Sequence, residues 1–498
     1  MVNHSGHLCF GCCLILLVII QLAQLIILPV IINCIMFVFC KKIQPQNYKF
    51  LVSFFTKQIS TTMSFDQKQL DKFKLPDRYK SGEYNVWIEF IGLAMEHKPV
   101  NLGQGFPDYN PPSRFSQYLS EVAKEGGLFN QYTRGFGHVR LVNALSKLYS
   151  KLIGRTINPL TEIMVTVGAY EALFCAIQGH IQPGDEAIII EPFFDCYEPM
   201  VCSVGGVPRF ISLKNTNSNA SVSRASDWKL DPIELESLFN SKTKFIIINT
   251  PHNPLGKVFD LEELTMIANL CKKHNVLCIS DEVYEWLVYE PTKHIRIASL
   301  PGMWERTITI GSAGKTFSMT GWKLGWAYGP DYLMKNLQVV HQIAIYTCPT
   351  TVQEAVAKGF EYEINILGTP DSYFQGISKE LRPKLDFTAS VLAKNGFKPI
   401  VPDGGYFMIA DWTNFEKKVD LSTETDNYKD FKFVKWLVKN FKLQGIPFSV
   451  FFSEKNKEAA SKYMRFCFFK KDETLQQFEE IATNFSKHIA EKSPTNKL

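Results

Sequence analysis

The chain reads as an α/β protein with a mostly parallel sheet and helices on both faces of it, and two observations predict this. Five short runs, "EIMVTV" (162–167), "EAIIIE" (186–191), "KFIIIN" (244–249), "VLCIS" (276–280) and "TITI" (307–310), are apolar without alternation, as strands buried on both faces are. Between them lie stretches with apolar residues at helical spacing, such as "LEELTMIANLCKKH"; strands that alternate with helices imply a parallel sheet. Length adds to this, because 498 residues are too many for one small core and suit a large domain with one or two smaller ones.

Composition bounds the class. With 46% hydrophobic and 21% charged residues the body is globular rather than disordered. The net charge of +5 is concentrated ahead of Asp66, where Lys41, Lys42, Lys49 and Lys57 stand with no acid and no arginine. The remainder is close to neutral, which argues against nucleic acid as the partner. The twelve cysteines include a single CxxC, Cys9–Cys12 ahead of Asp66, and none after it, so neither a metal site nor a disulfide framework is expected. They read as free thiols in a reducing compartment, cytoplasmic or mitochondrial.

The elements follow in order. Residues 1–65 form a hydrophobic leader, uncharged from Leu14 to Cys40 and long enough to cross ~30 Å of hydrocarbon as a helix. Three readings stand for it: a membrane anchor that leaves the body on the cytosolic side, because the lysines follow it; an organelle transit peptide; or a start assigned too early, with Met63 the true one. The body then begins. In parallel sheets ligands bind beyond the carboxyl ends of the strands, so the residues after each run are where chemistry is sought. "VGAYEAL" follows the first run and opens a helix whose free N–H groups suit a phosphate. "PFFDCY" follows the second with an aromatic face. "TPHNPLGKVF" presents Asn253, "DEVYEW" presents Asp281 and Tyr284, and "GSAGKTFSMTGWKLGW" sets Lys315 among small side chains with Lys323 beyond it.

One cofactor uses that whole set. Pyridoxal phosphate needs a lysine for its Schiff base, a carboxylate to keep its ring nitrogen protonated, a phosphate cradle and a flat group against its ring. The chain also resembles the fold type I aminotransferases, specifically the kynurenine–oxoglutarate transaminases, which are also the cysteine-S-conjugate β-lyases. The likeness runs from "YNVWIEF" to "YMRFCFFKKDETL" through "VNLGQGFPD", "NQYTRGFGH", "IEPFFDCYEPM", "NTPHNPLGKVF", "CISDEVYEWLVY", "LPGMWERTITIGSAGKTFS", "TGWKLGW" and "KPIVPDGGYF". "TPHNPLGK" and "VPDGGYF" favour the third kynurenine-transaminase type over the first.

The resemblance implies roles. Lys315 would hold the cofactor and then serve as the base at the substrate's α-carbon, with Asp281 on the ring nitrogen and Asn253 and Tyr284 on the phenolic oxygen. Phe194 would stack on the ring. Ala169 and Tyr170 N–H groups, Ser312 and Lys323 would take the phosphate, joined by Tyr132 of a second subunit, so a homodimer is implied. Arg465 would grip the substrate carboxylate, with Asn253 beside it. Trp87, Gly105, Tyr170 and Tyr346 would line the side-chain pocket. The partners implied are small molecules, namely kynurenine, other aromatic or sulfur-containing amino acids, glutamine and 2-oxo acids, and the reaction is transamination with β-elimination of cysteine S-conjugates beside it. The alternative is a non-catalytic aminotransferase-like sensor or scaffold. Glu171, where relatives have a small residue, is expected to point outward from the phosphate. The implied domains are an arm of residues 66–115, a large cofactor domain of 116–380 and a small domain completed by 381–498.

Overall fold

The computed structural model describes residues 71–217 and 223–491. The chain divides after Leu75. Of the first unit only residues 71–75 are described, with an exposed Lys74–Asp71 ion pair at 2.8 Å; the leader and its three readings lie outside the described residues. Among the described residues no helix is long and apolar enough to cross a membrane.

The second unit holds a seven-stranded sheet ordered Ile163–Thr166, Gly325–Tyr328, Thr307–Ser312, Leu277–Asp281, Thr243–Asn249, Glu186–Glu191, Val207–Ser212. All neighbours are parallel except Gly325–Tyr328, which runs against both of its own. The five apolar runs are five of these strands. Their side chains are sealed in on both faces: Ile188, Ile189, Ile246, Ile248, Ile308 and Ile310 are buried, each worth about 2–3 kcal/mol of transfer free energy. Two strands carried no such signal. Val207–Ser212 is an edge with Pro208 half-buried and Arg209 exposed, and Gly325–Tyr328 is too short to show a pattern.

Register is what assembles a site. Asn249 pairs with Asp281 and Asp281 with Ile310, so the carboxyl ends of successive strands are level and their following residues open on one side.

A second sheet of five strands is ordered Ile446–Pro447, Tyr463–Cys467, Phe407–Asp411, Lys398–Val401, Ser223–Arg224. Most of it comes from the last part of the chain, but Ser223–Arg224 enters from the middle, parallel to Lys398–Val401. Val100–Asn101 pairs in parallel with Leu443–Gln444, and the Cys467 N–H donates to Leu102 O at 2.6 Å. The segment around residue 100 is thereby tied to residues more than 300 positions on. Residue 115 lies inside the helix Ser113–Glu125 and residue 380 inside the helix Tyr373–Lys394. One hydrophobic cluster takes in residues of both sheets, from Val86 to Ile489.

Candidate active site

Strand Thr307–Ser312 passes directly into the short helix Ala313–Thr316, which carries Lys315. The small neighbours are there because space is short: a Cβ on Gly314 would stand 3.0 Å from Thr320 Cα. The Lys315 amine donates to the Tyr406 hydroxyl at 2.8 Å and to Gly105 O at 3.2 Å. Burial, with the charges of Arg465 and Lys323 acting the same way, lowers its pKa to about 8. A neutral amine, hence a base, is therefore accessible near physiological pH.

Asp281 ends the neighbouring strand. Its carboxylate accepts from the Tyr197 hydroxyl at 2.6 Å and from the Val283 N–H at 3.4 Å, yet burial raises it to about 6. Tyr284 follows in the turn, its phenol pushed up by burial, its ring edge-on to Tyr406 with centroids 5.1 Å apart. Asn249 braces both neighbours: its amide donates to Asp281 O at 2.9 Å and its carbonyl accepts from the Asn253 N–H at 2.7 Å.

The basic pole lies at the start of the helix Gly168–Gln178, which has no side-chain cap. Gly168 adopts φ +75°, open to glycine at little cost, and a Cβ there would sit 3.5 Å from Lys323 Nζ. Uncapped N–H groups at Ala169 and Tyr170, with Ser312 and Lys323 beside them, form a cradle for an anion. Glu171 does turn away from this cradle, but inward rather than to solvent. It is buried, accepts from the Val167 N–H, and meets His341 Nδ1 at 2.6 Å.

At the opposite pole Arg465, 1% exposed, sits mid-strand in Tyr463–Cys467. It donates to Asn253 Oδ1 at 2.8 Å and to Gly103 O at 2.9 Å, and lies 3.9 Å over the Phe407 ring. Burial lowers its pKa to about 10, so it stays charged at neutral pH. Its Nε has no partner. Trp87 is placed by the Asn85 cap of the helix Val86–His97 and held by its indole N–H, which donates to Asp195 at 2.7 Å.

These residues line a single cavity of about 310 Å³. Trp87, Gly105, Ala169, Tyr170, Phe194, Asn253, Asp281, Tyr284, Ser312, Lys315, Lys323 and Arg465 all border it. Two expected residues do not. Tyr132, expected from a second subunit, and Tyr346 stand apart from it within one chain: Tyr346 follows the helix Asp331–Ala344, is 55% exposed and stands edge-on to Tyr132, itself 81% exposed. Both rings lie on an outer face of the chain. The sequence reading passed over Tyr197, Asn249, Phe407 and Tyr406, although "DCYEPM", the strand end "IIIN" and "DGGYF" were in view.

The model of the family described as "Aminotransferase class I and II" matches residues 97–480. Kynurenine–oxoglutarate transaminase 3 of Rattus norvegicus is 54% identical over 84% of this chain and 92% of its own length. Kynurenine–oxoglutarate transaminase 1 of Homo sapiens is 49% identical over 80% of this chain and 95% of its own. Among solved structures, N-succinyldiaminopimelate aminotransferase from Mycobacterium tuberculosis superimposes with a TM-score of 0.73 at 34% identity, covering 83% of this chain and all of that one. The chain belongs to the class I and II aminotransferases.

Proposed function

We propose that the chain is a pyridoxal-5′-phosphate-dependent aminotransferase. It moves the amino group of kynurenine, other aromatic or sulfur-containing amino acids and glutamine to 2-oxo acids, and eliminates from cysteine S-conjugates as a second activity. The observation that carries this reading is that Lys315, Asp281 and Arg465 border one cavity, an amine just beyond one strand, a carboxylate at the end of a second and a guanidinium in the middle of a third. The donor set fits the cofactor at each point. Lys323, Ser312 and the uncapped helix start suit its phosphate, Asp281 its ring nitrogen, Asn253 and Tyr284 its phenolic oxygen, and Phe194 its flat face. Bound there, the cofactor would supply an electron sink for the pair left when a substrate's α-proton is removed.

The chain's own residues do the rest. Arg465 orients the substrate: a carboxylate can accept from the buried Nε that lacks a partner and from an Nη, the two-bond geometry that lysine cannot make. Trp87, Tyr170 and Phe194 supply apolar walls for an aromatic or thioether side chain. Lys315, neutral in part near pH 8, takes and returns the proton. Kynurenine and the oxo-acid acceptor rest on the names of the relatives, and the wider range of amino acids is what the resemblance of the sequence implies. A good leaving group at Cβ diverts the same deprotonated substrate to pyruvate and ammonia.

A homodimer is part of this proposal. Leu128, Tyr132, Ile343 and Tyr346 are exposed at 85%, 81%, 82% and 55%, large apolar or aromatic groups that one chain leaves in water. A second copy would cover them and bring Tyr132 to its phosphate cradle. The free, mostly buried cysteines of the described residues favour a cytosolic or mitochondrial setting, with any anchor confined to the leader.

The test is the absorbance spectrum of purified protein before and after kynurenine, with Lys315→Ala alongside. A cofactor band that shifts with kynurenine is expected. In Lys315→Ala, oxo acid from kynurenine and pyruvate from a cysteine conjugate should both fall by roughly 10³-fold or more. Either product forming near the unmutated rate would mean that another residue is the base.

A further inference from the structure

The Lys315 amine sits in a triangle that none of its implied roles demands. Its Nζ is 2.8 Å from the Tyr406 hydroxyl and 3.2 Å from Gly105 O, and the hydroxyl is 2.8 Å from the same carbonyl. A carbonyl only accepts, and a phenol has one proton to give. With that proton on Gly105 O rather than on the neighbouring Tyr284 hydroxyl, both remaining contacts are donated by Lys315. A neutral amine has two hydrogens and one lone pair. With both hydrogens committed the lone pair is the one free position, on a residue that borders the cavity.

Tyr406 is built to stay where it is. It is 1% exposed and is not among the residues bordering the cavity, so it reaches the amine from behind. Its ring is wedged between Tyr284, Phe407 and Phe469, with centroids 5.1, 4.7 and 5.4 Å away. The backbone leading to it is fixed by Gly405, at φ +70°, whose N–H donates to Leu287 O at 2.7 Å while Tyr289 donates to its carbonyl at 2.8 Å. The other corner is equally constrained. A Cβ on Gly105 would come within 2.5 Å of Phe407 Cζ, and Lys470 holds the flanking Gln104 and Phe106 carbonyls at 3.3 and 2.8 Å.

We propose that Tyr406 is a positioning residue for the proton transfer: with the Gly105 carbonyl it receives the Lys315 amine whenever that amine is not bonded to the cofactor, and turns its lone pair into the cavity. The proposal rests on the aminotransferase reading above. The lone pair takes the proton from the substrate's α-carbon, where a bound cofactor would supply the sink for the C–H electron pair. The Lys315 ammonium then holds that proton until it is given back. Tyr406 and Gly105 keep the other two hydrogens throughout, and the phenol neither gains nor loses a proton.

Tyr406→Phe keeps the ring and removes the acceptor. In the holoenzyme, bound-cofactor absorbance and the dissociation constant for phenylalanine should stay within about twofold. The single-turnover rate should fall about tenfold, and the α-deuterium isotope effect should rise because proton transfer has become slower. In the cofactor-free chain, trapping of Lys315 by an aldehyde and borohydride, followed by mass spectrometry across pH, should shift its midpoint down by about one unit, since the ammonium loses an acceptor. A packing role would lower stability and move neither the isotope effect nor that midpoint. A turnover rate within twofold of the unmutated enzyme, or loss of cofactor by Tyr406→Phe, overturns the proposal. An unmutated chain that takes up no cofactor overturns the aminotransferase reading and this one with it, whereas a loaded, active enzyme indifferent to Tyr406→Phe overturns this one alone.

Discussion

Burial raises the Asp281 carboxyl from its ordinary value of 3.8 to about 6, although Tyr197 and the Val283 N–H both donate to it. Between those two values the folded chain holds a proton that the unfolded chain has released, so stability falls as pH rises through that window. Lys315 works in the other direction: its folded pKa of about 8 lies below the ordinary 10.5, and stability rises with pH between them. At neutral pH the cofactor-free chain therefore carries a buried carboxylate at a cost, which the proposed cofactor's ring nitrogen would offset. Asp281→Asn should stabilise the cofactor-free chain at pH 7 by on the order of 2 kcal/mol, with the gain shrinking at pH 4, and should cut transamination by about 100-fold or more. Thermal melts at the two pH values check it; no gain at pH 7 would count against the carboxylate's burial as the cause. Asp281, like Lys315 and Asn253, was legible in the sequence because it lies within a few residues of the end of an apolar run. Tyr197 and Tyr406 were not, since what they touch lies 84 and 91 positions away and no local pattern encodes it.

The helix Gly168–Gln178 shows what an element adds to its residues. Its first turn offers N–H groups to the cavity, and its fourth residue, Glu171, secures it from behind. The Glu171 carboxylate accepts from the Val167 N–H and pairs with His341 in the helix Asp331–Ala344, whose other nitrogen is 2.9 Å from Gly135 O. Two helices and a loop are joined by one buried side chain. Glu171→Ala would orphan the Val167 N–H and the His341 ring and should cost about 2–4 kcal/mol, read as a lower denaturant midpoint. Glu171→Gln, which keeps an acceptor, should cost roughly half as much. An alanine variant as stable as the parent would show the pair to be idle. The sequence could say that an acid was out of place near a phosphate; it could not say where the acid would go, because His341 is 170 positions on. Strand legibility has the same limit. Runs of Ile and Val mark strands sealed on both faces, whereas the part-exposed edge Val207–Ser212 and the short Gly325–Tyr328 are specified by their neighbours in the sheet.

At the scale of the whole molecule, the two proposed poles of the cavity differ in what one chain brings to them. Arg465 is sealed under Trp87, Phe407 and Phe451 within one chain, while Tyr132, implied for the phosphate, stands on the outer face against Tyr346. If the fold is finished by a second copy, the two subunits exchange Tyr132, and each cradle depends on the other chain. Pairing a Tyr132→Ala subunit with a Lys315→Ala subunit separates the cases. In the mixed dimer, the site that keeps Lys315 receives an intact Tyr132 from its inactive partner, and the other site has lost both groups. Differently tagged chains, co-expressed and purified through both tags, should show about half the activity of the unmutated dimer. The Tyr132→Ala homodimer should bind cofactor about tenfold more weakly, and the Lys315→Ala homodimer should be inactive. A mixed dimer with only half the activity of the Tyr132→Ala homodimer would place Tyr132 outside the partner's site, and the exposed rings at 132 and 346 would need another explanation.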